Sequence, residues 1–386
     1  MTNPLLETWH TPFGVPPFDR IEDAHFAPAM EAALAQGRAA VAAIADNPAP
    51  PSFANTIEAL ELADALLDRV AGVFYNLSGA DANPARDALQ RDLAPMLSAY
   101  ASEITNNAAL FARIDALWTA RDSLGLNAEQ MRVLYLTHRS FTRSGAALEG
   151  AARDRLTAVK SRLAVLGTAF TQNLLADERD WFMQLSEADL DGLPEFVISA
   201  AREAGREKGQ PGPVVTLSRS LIVPFLQFSP RRDLREKAYR AWAARGMTGG
   251  ATDNRDITAE VLALRAERAG LLGYPSFAAY KLETEMAGNP QAVRDLLMAV
   301  WAPARAQAEA DAVKLTAMLH ADGINGALEP WDWRYYSEKR RLAEHDLDEA
   351  ELKPYFQLDA MIAAAFDCAK RLFGLEFRPL DVALYH

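Results

Sequence analysis

Apolar residues recurring every three or four positions dominate this chain, and that spacing commits most of it to amphipathic helices. From Ser52 to about Gln184 the pattern holds throughout, as at Ile57, Leu60, Leu67 and Val70, with breaks at Asn83-Pro84 and Gly125-Leu126-Asn127. Long antiparallel helices are expected there. Residues 1–51 differ, because Pro12, Pro16, Pro17, Pro28, Pro48, Pro50 and Pro51 punctuate an extended segment around one helical stretch from about Pro28 to Ile44.

Between Trp181 and Phe228 the period shortens. Phe196-Val197-Ile198, Val214-Val215-Thr216-Leu217 and Leu221-Ile222-Val223 read as short β-type runs around the loop Gly209-Gln210-Pro211-Gly212-Pro213, so a small β insertion is expected over 185–228. Helical spacing returns at Ser229-Pro230 and runs through Arg245-Gly246, then over Ile257 to Leu272 and Ser276 to Ala287. Asn289-Pro290 opens a long helix in which Val293, Leu297, Val300, Ala304 and Ala308 mark one face and Pro303 predicts a kink. Helices resume after Gly323 to Gly326 and continue to Gly374, and the tail from Phe377 reads as strand or linker. The expected fold class is mainly α, divided as 1–51, 52–184, 185–228 and 229–386.

Composition narrows the function. A chain of 386 residues, half of them hydrophobic and 24% charged, can bury a sizeable core. Its 40 Lys and Arg against 52 Asp and Glu give a net charge of −12, which repels nucleic acid and anionic lipid alike. Neither is an expected partner. The longest apolar runs, such as Ala39 to Ala45, fall far short of the ~18 residues of a membrane span. Met1-Thr2-Asn3-Pro4 carries no export signal, so a cytoplasmic protein is expected.

Motifs for most enzyme chemistries are missing from the sequence. The six histidines, His10, His25, His138, His320, His345 and His386, include no pair four residues apart, the spacing that sets two imidazoles on one helix face for zinc. There is no Gly-x-Ser-x-Gly, no Walker loop and no Gly-x-Gly-x-x-Gly. The single cysteine, Cys368, excludes an internal disulfide and, in its helical context, is expected to be a buried inert thiol. The segment Trp331-Asp332-Trp333-Arg334-Tyr335-Tyr336 suits either the lining of a peptide or sugar groove or an aromatic anchor between helices, and composition favours the anchor. His345-Asp346-Leu347-Asp348-Glu349-Ala350-Glu351 lacks the ligand pattern of a calcium loop and reads as carboxylates at a helix start. No catalytic, cofactor-binding or metal residue is assigned.

Several strings resemble a known family. Phe53-Ala54-Asn55-Thr56-Ile57-Glu58-Ala59-Leu60-Glu61, Ser229 to Tyr239, Leu264-Arg265-Ala266-Glu267 with Leu271-Leu272-Gly273-Tyr274, and Trp331 to Tyr336 resemble zinc metallopeptidases of the thimet oligopeptidase type. Leu347 to Phe356, followed by Leu358-Asp359 and Leu372-Phe373-Gly374-Leu375, looks most like their bacterial peptidyl-dipeptidase branch. The resemblance implies the N-terminal helical lobe of a two-lobed protein with a channel that admits short peptides. It implies a zinc held by a His-Glu-x-x-His helix and a downstream Glu, all in a C-terminal catalytic half that this chain lacks. The chain alone is therefore expected to bind no zinc, to be inactive, and to expose apolar surface where its helices would face the missing half. A non-catalytic helical scaffold for peptides or a protein partner is the alternative.

Overall fold

The structure is a computed structural model that describes residues 3–81, 83–345 and 353–385. It divides into two compact units, one built from residues up to Asp154 plus the stretch from Phe377, the other from Arg155–Glu376.

The first unit packs around helix α1 (Phe26–Ala45), against which α2 (Ala59–Ala63), α3 (Ala65–Ala80), α4 (Pro84–Thr105) and α5 (Ala108–Ala120) all lie. α6 (Ala128–Ser144) packs on α5. Helix starts follow the local chemistry: the Asn83, Asn107 and Asn127 side chains accept the backbone N–H three residues on, at 2.8 to 2.9 Å, and so satisfy donors that a helix start leaves unpaired. Phe26, Met30, Leu34, Val70, Phe74 and Leu93 form one core cluster of this unit, and Ile57, Leu110, Ile114 and Leu134 belong to a second. The tail after Phe377 has no regular element over its described residues, and Tyr385 packs edge-on against Phe18 at 5.4 Å.

α7 (Gly150–Asp180), which belongs to the second unit from Arg155 on, gives way to strand β1 (Phe182–Gln184), which pairs antiparallel with β2 (Val214–Thr216) in the register Met183 to Val215. Of this pair only β2 lies within the insertion expected over 185–228; β1 precedes it, in the stretch expected to be helical. Phe196-Val197-Ile198 lies in α8 (Glu195–Glu207), and Leu221-Ile222-Val223 lies in α9 (Arg219–Phe228). The physical reason is the longer pattern around each run. Val197, Ala201 and Ala204 are buried at helical spacing while Phe196 faces solvent, and Leu221, Ile222, Phe225 and Leu226 repeat every four residues. Both stripes close over the sheet in one core with Met183, Val214 and Val215.

α10 (Arg232–Ala243), α11 (Arg255–Leu271), α12 (Phe277–Leu282), α13 (Pro290–Ala321), α14 (Pro330–His345) and α15 (Leu358–Phe373) complete the second unit. α13 continues through Pro303 as one element, and α12 is shorter than the stretch from Ser276 to Ala287 expected of it. Gly374, with φ of 69°, closes α15 in the left-handed conformation that glycine adopts without strain.

Gly205 lies at a close backbone approach, because a Cβ there would fall on the carbonyl oxygen of Gly212 in the turn before β2. Gly205→Ala is expected to lower stability by about 1–3 kcal/mol through overpacking. Gly167→Ala, on an exposed turn of α7 with open space around it, should instead raise stability by about 0.5–1 kcal/mol by improving helix propensity. Urea denaturation of both variants measures this difference in sign.

Candidate functional site

The aromatic segment opens α14, and the structure divides it between anchor and groove. Asp332 is fully buried and accepts hydrogen bonds from Arg232 (2.7 Å) and Arg235 (2.9 Å) of α10 and from the backbone N–H of Glu329 (3.1 Å). Arg235, itself buried, donates further to the carbonyls of Ser229 (2.7 Å) and Trp331 (3.1 Å), and its guanidinium lies 4.2 Å from the Tyr335 ring centre. Every strongly polar group of this pair thus meets a partner of opposite character.

The rest of α14 is tied down in the same way. Tyr336 is buried and donates to Asp322 (3.1 Å), which Lys339 also contacts (2.7 Å). Glu338 accepts from Gln227 (3.0 Å) and Arg341 (2.6 Å), and Arg340 reaches Asp311 (2.7 Å). Leu315 and Leu319 of α13 pack against Tyr336 underneath.

Charge shifts follow this geometry. Burial alone would raise the Asp332 carboxyl, but the hydrogen bonds from Arg232, Glu329 and Arg235 outweigh it and hold the group below the ordinary carboxylate value. For a depressed carboxyl the linked stability is present above its unfolded pKa of about 4 and is lost as pH falls through the folded value. Burial, then the neighbouring Asp322, raises the Tyr336 phenol, which stays protonated and donating.

Trp331 belongs to the anchor: it is buried, with Arg240 over its ring at 4.8 Å and Tyr239 at 6.4 Å. Trp333 and Arg334 point the other way. They line an open groove of about 1050 Å³ with Tyr239 and Trp242 of α10, Thr316 of α13, and Leu328 and Glu329 of the loop before α14. The indole N–H groups of Trp242 and Trp331 are buried without an acceptor among the described residues. Both readings of the segment are therefore realised, by different residues: Trp331, Tyr335 and Tyr336 anchor, while Trp333 and Arg334 face the groove.

Among the described residues the histidines do not converge. His25 Nδ1 accepts from the Glu22 backbone (3.0 Å), His138 bonds Asp115 (2.9 Å) between the stacked rings of Trp118 and Phe111, and His320 lies beside the Gly326 carbonyl (3.2 Å). Among the described residues no group of three His, Cys, Asp or Glu side chains could hold a metal ion. These residues do not fit a zinc site. Residues 346–351 of the acidic run, and His386, lie outside the described residues. Cys368, expected to be buried, is exposed on α15, because nothing among the described residues covers that helix face. No described helix is long and apolar enough to cross a membrane.

Residues 225–385, which hold α10, α13, α14 and the groove, match the family model described as Peptidase family M3. The chain is related to the M3 peptidases. It is 36% identical over its whole length to the dipeptidyl carboxypeptidase of Escherichia coli and 33% identical over its whole length to the oligopeptidase A of Salmonella typhimurium. Over 98% of its length it is 29% identical to the probable cytosolic oligopeptidase A of Arabidopsis thaliana. The chain spans 57% of the first two relatives and 55% of the third. The architecture of the chain is mainly helical with one small two-stranded sheet.

Sequence reasoning missed the Arg232–Arg235–Asp332 core of this region. One signal was available. Arg235 lies on the same stripe of α10 as Ala238, Tyr239 and Trp242, and an arginine on an apolar stripe needs a buried acid such as the Asp between Trp331 and Trp333.

Proposed function

We propose that this chain forms the N-terminal part of a cytoplasmic, zinc-dependent peptidase that acts on short peptides and releases dipeptides from their C-termini. The zinc site and the reacting groups would belong to the portion of the M3 relatives that this chain does not span, and the chain would shape the surface on which the peptide is oriented. The observation that carries this reading is the alignment of the whole chain with a dipeptidyl carboxypeptidase and an oligopeptidase A.

Uncovered apolar surface supports it. Two separate compact bodies of the sizes of the two units would together expose ~18,000 Å² by the scaling of surface with mass. The chain exposes 23571 Å². On α13, Leu296, Leu297, Met298, Val300 and Trp301 are all exposed, Trp301 by 59%, and at 100° per residue they cover an arc of about 200°. An exposed apolar stripe of that width is built to be covered. On α15 the exposed set is Leu358, Met361, Ile362, Phe366, Leu372 and Phe373. The groove beside α14 also suits the alternative of a scaffold that binds peptides without cutting them, and activity separates the two.

Without the remaining portion, the purified chain is expected to retain no stoichiometric zinc after dialysis and to leave a blocked short peptide intact. Elemental analysis and chromatography of the peptide check this. One tightly held zinc per chain, or cleavage by the chain alone, would overturn the proposed division of labour.

A further inference from the structure

The basic side chains around α14 are almost all neutralised by a carboxylate. Lys339 meets Asp322, Arg340 meets Asp311, Arg341 meets Glu338, Arg232 and Arg235 share Asp332, and Arg240 meets Glu236. Arg334 is the exception. It is exposed, it lines the groove beside Trp333, and it pairs with no acid among the described residues. In a chain of net charge −12, which has acids to spare, an arginine left open in a concave aromatic site is a local departure from the surface around it.

We propose that this groove binds the C-terminal end of a peptide, with Arg334 taking the free α-carboxylate. A guanidinium offers two parallel N–H donors to a carboxylate, a geometry that an amide or ester cannot match in charge. Trp333, Tyr239 and Trp242 supply aromatic surface for the last side chain, so an aromatic or large aliphatic C-terminal residue is preferred. Glu329, at the same groove, has the opposite sign and suits a main-chain N–H of the peptide rather than its carboxylate. A cleft of about 1050 Å³ has room for a dipeptide or more. The inference rests on the proposed reading for its substrate class, short peptides, and adds the group that is recognised.

The test is a calorimetric titration of the 386-residue chain with N-acetyl-Ala-Phe bearing a free carboxylate, and with its C-terminal amide. The free acid is expected to bind at least 10-fold tighter than the amide. Arg334→Gln should abolish that preference, Arg334→Lys should keep part of it, and Trp333→Ala should weaken acid and amide by the same factor. Both side chains are at the surface, and circular dichroism of each variant confirms an intact fold. Equal binding of acid and amide, no saturation by either, or an acid preference that survives Arg334→Gln would overturn the proposal. So would inorganic phosphate displacing the peptide as effectively as its own acid, which would mark a general anion site. Because this readout is binding to the chain itself, it is independent of hydrolysis. Acid-selective binding in a chain that never supports cleavage keeps this site and removes the peptidase reading, and the converse result does the opposite.

Discussion

Asp332→Asn should cost the second unit about 3–5 kcal/mol, because it strips the buried Arg235 of its counter-charge while leaving the guanidinium in place. The carboxylate is fully buried and serves Arg232, Arg235 and the Glu329 backbone at once, so the amide cannot replace it. The loss should appear in urea unfolding followed by tryptophan fluorescence, to which Trp331 and Trp333 on either side of Asp332 contribute. Glu309→Gln, which breaks only an exposed pair with Arg305 on α13, should leave the midpoint unchanged. The wild-type chain and Asp332→Asn should also differ in acid. The wild-type chain loses its Asp332 contribution as pH falls below about 4, whereas the Asp332→Asn variant has no such contribution to lose. A destabilisation of Asp332→Asn no larger than that of Glu309→Gln would show that α10 and α14 are not held by this pair.

The chain alone should bind a hydrophobic dye strongly and self-associate, since α13 and α15 each expose a run of large apolar side chains, where a soluble monomer usually shows patches of only a few hundred Å². Leu297→Glu combined with Trp301→Glu should reduce both effects several-fold. Helicity should be untouched, because neither side chain is packed, Leu297 being 61% exposed. Analytical ultracentrifugation and dye fluorescence check the first expectation, and circular dichroism the second. A monodisperse, dye-silent chain would favour the scaffold reading. Unfolding of the double variant would mean that these side chains are packed within the chain after all.

Helix periodicity made most of the fold legible, and the exceptions have a common physical origin. Val214 to Thr216 was readable as a strand because three buried β-branched residues follow a Pro-Gly loop. Phe196 to Ile198 and Leu221 to Val223 misled because a three-residue β-type run carries no period of its own. Only the stripes Val197, Ala201, Ala204 and Leu221, Phe225 reveal the helices, and they extend beyond the runs. Cys368 was misjudged for a different reason: α15 has an apolar helix pattern, and pattern shows which face seeks cover without showing whether cover is present. In the aromatic segment, alternation around the helix sends Trp331 and Tyr336 inward and Trp333 and Arg334 outward, a division that composition alone could not make. The ion pairs linking α10 to α14 span about a hundred positions of sequence, a separation over which local pattern carries no register.

The most direct measurement joins the chain to the C-terminal remainder of the Escherichia coli dipeptidyl carboxypeptidase, supplies zinc, and follows dipeptide release from a blocked short peptide. The same remainder without residues 1–386 serves as the reference. The account predicts cleavage at least 10²-fold faster with the chain than without it, in line with what positioning alone can contribute to rate, and loss of that gain in the Leu297→Glu, Trp301→Glu variant. Equal rates with and without the chain would contradict it.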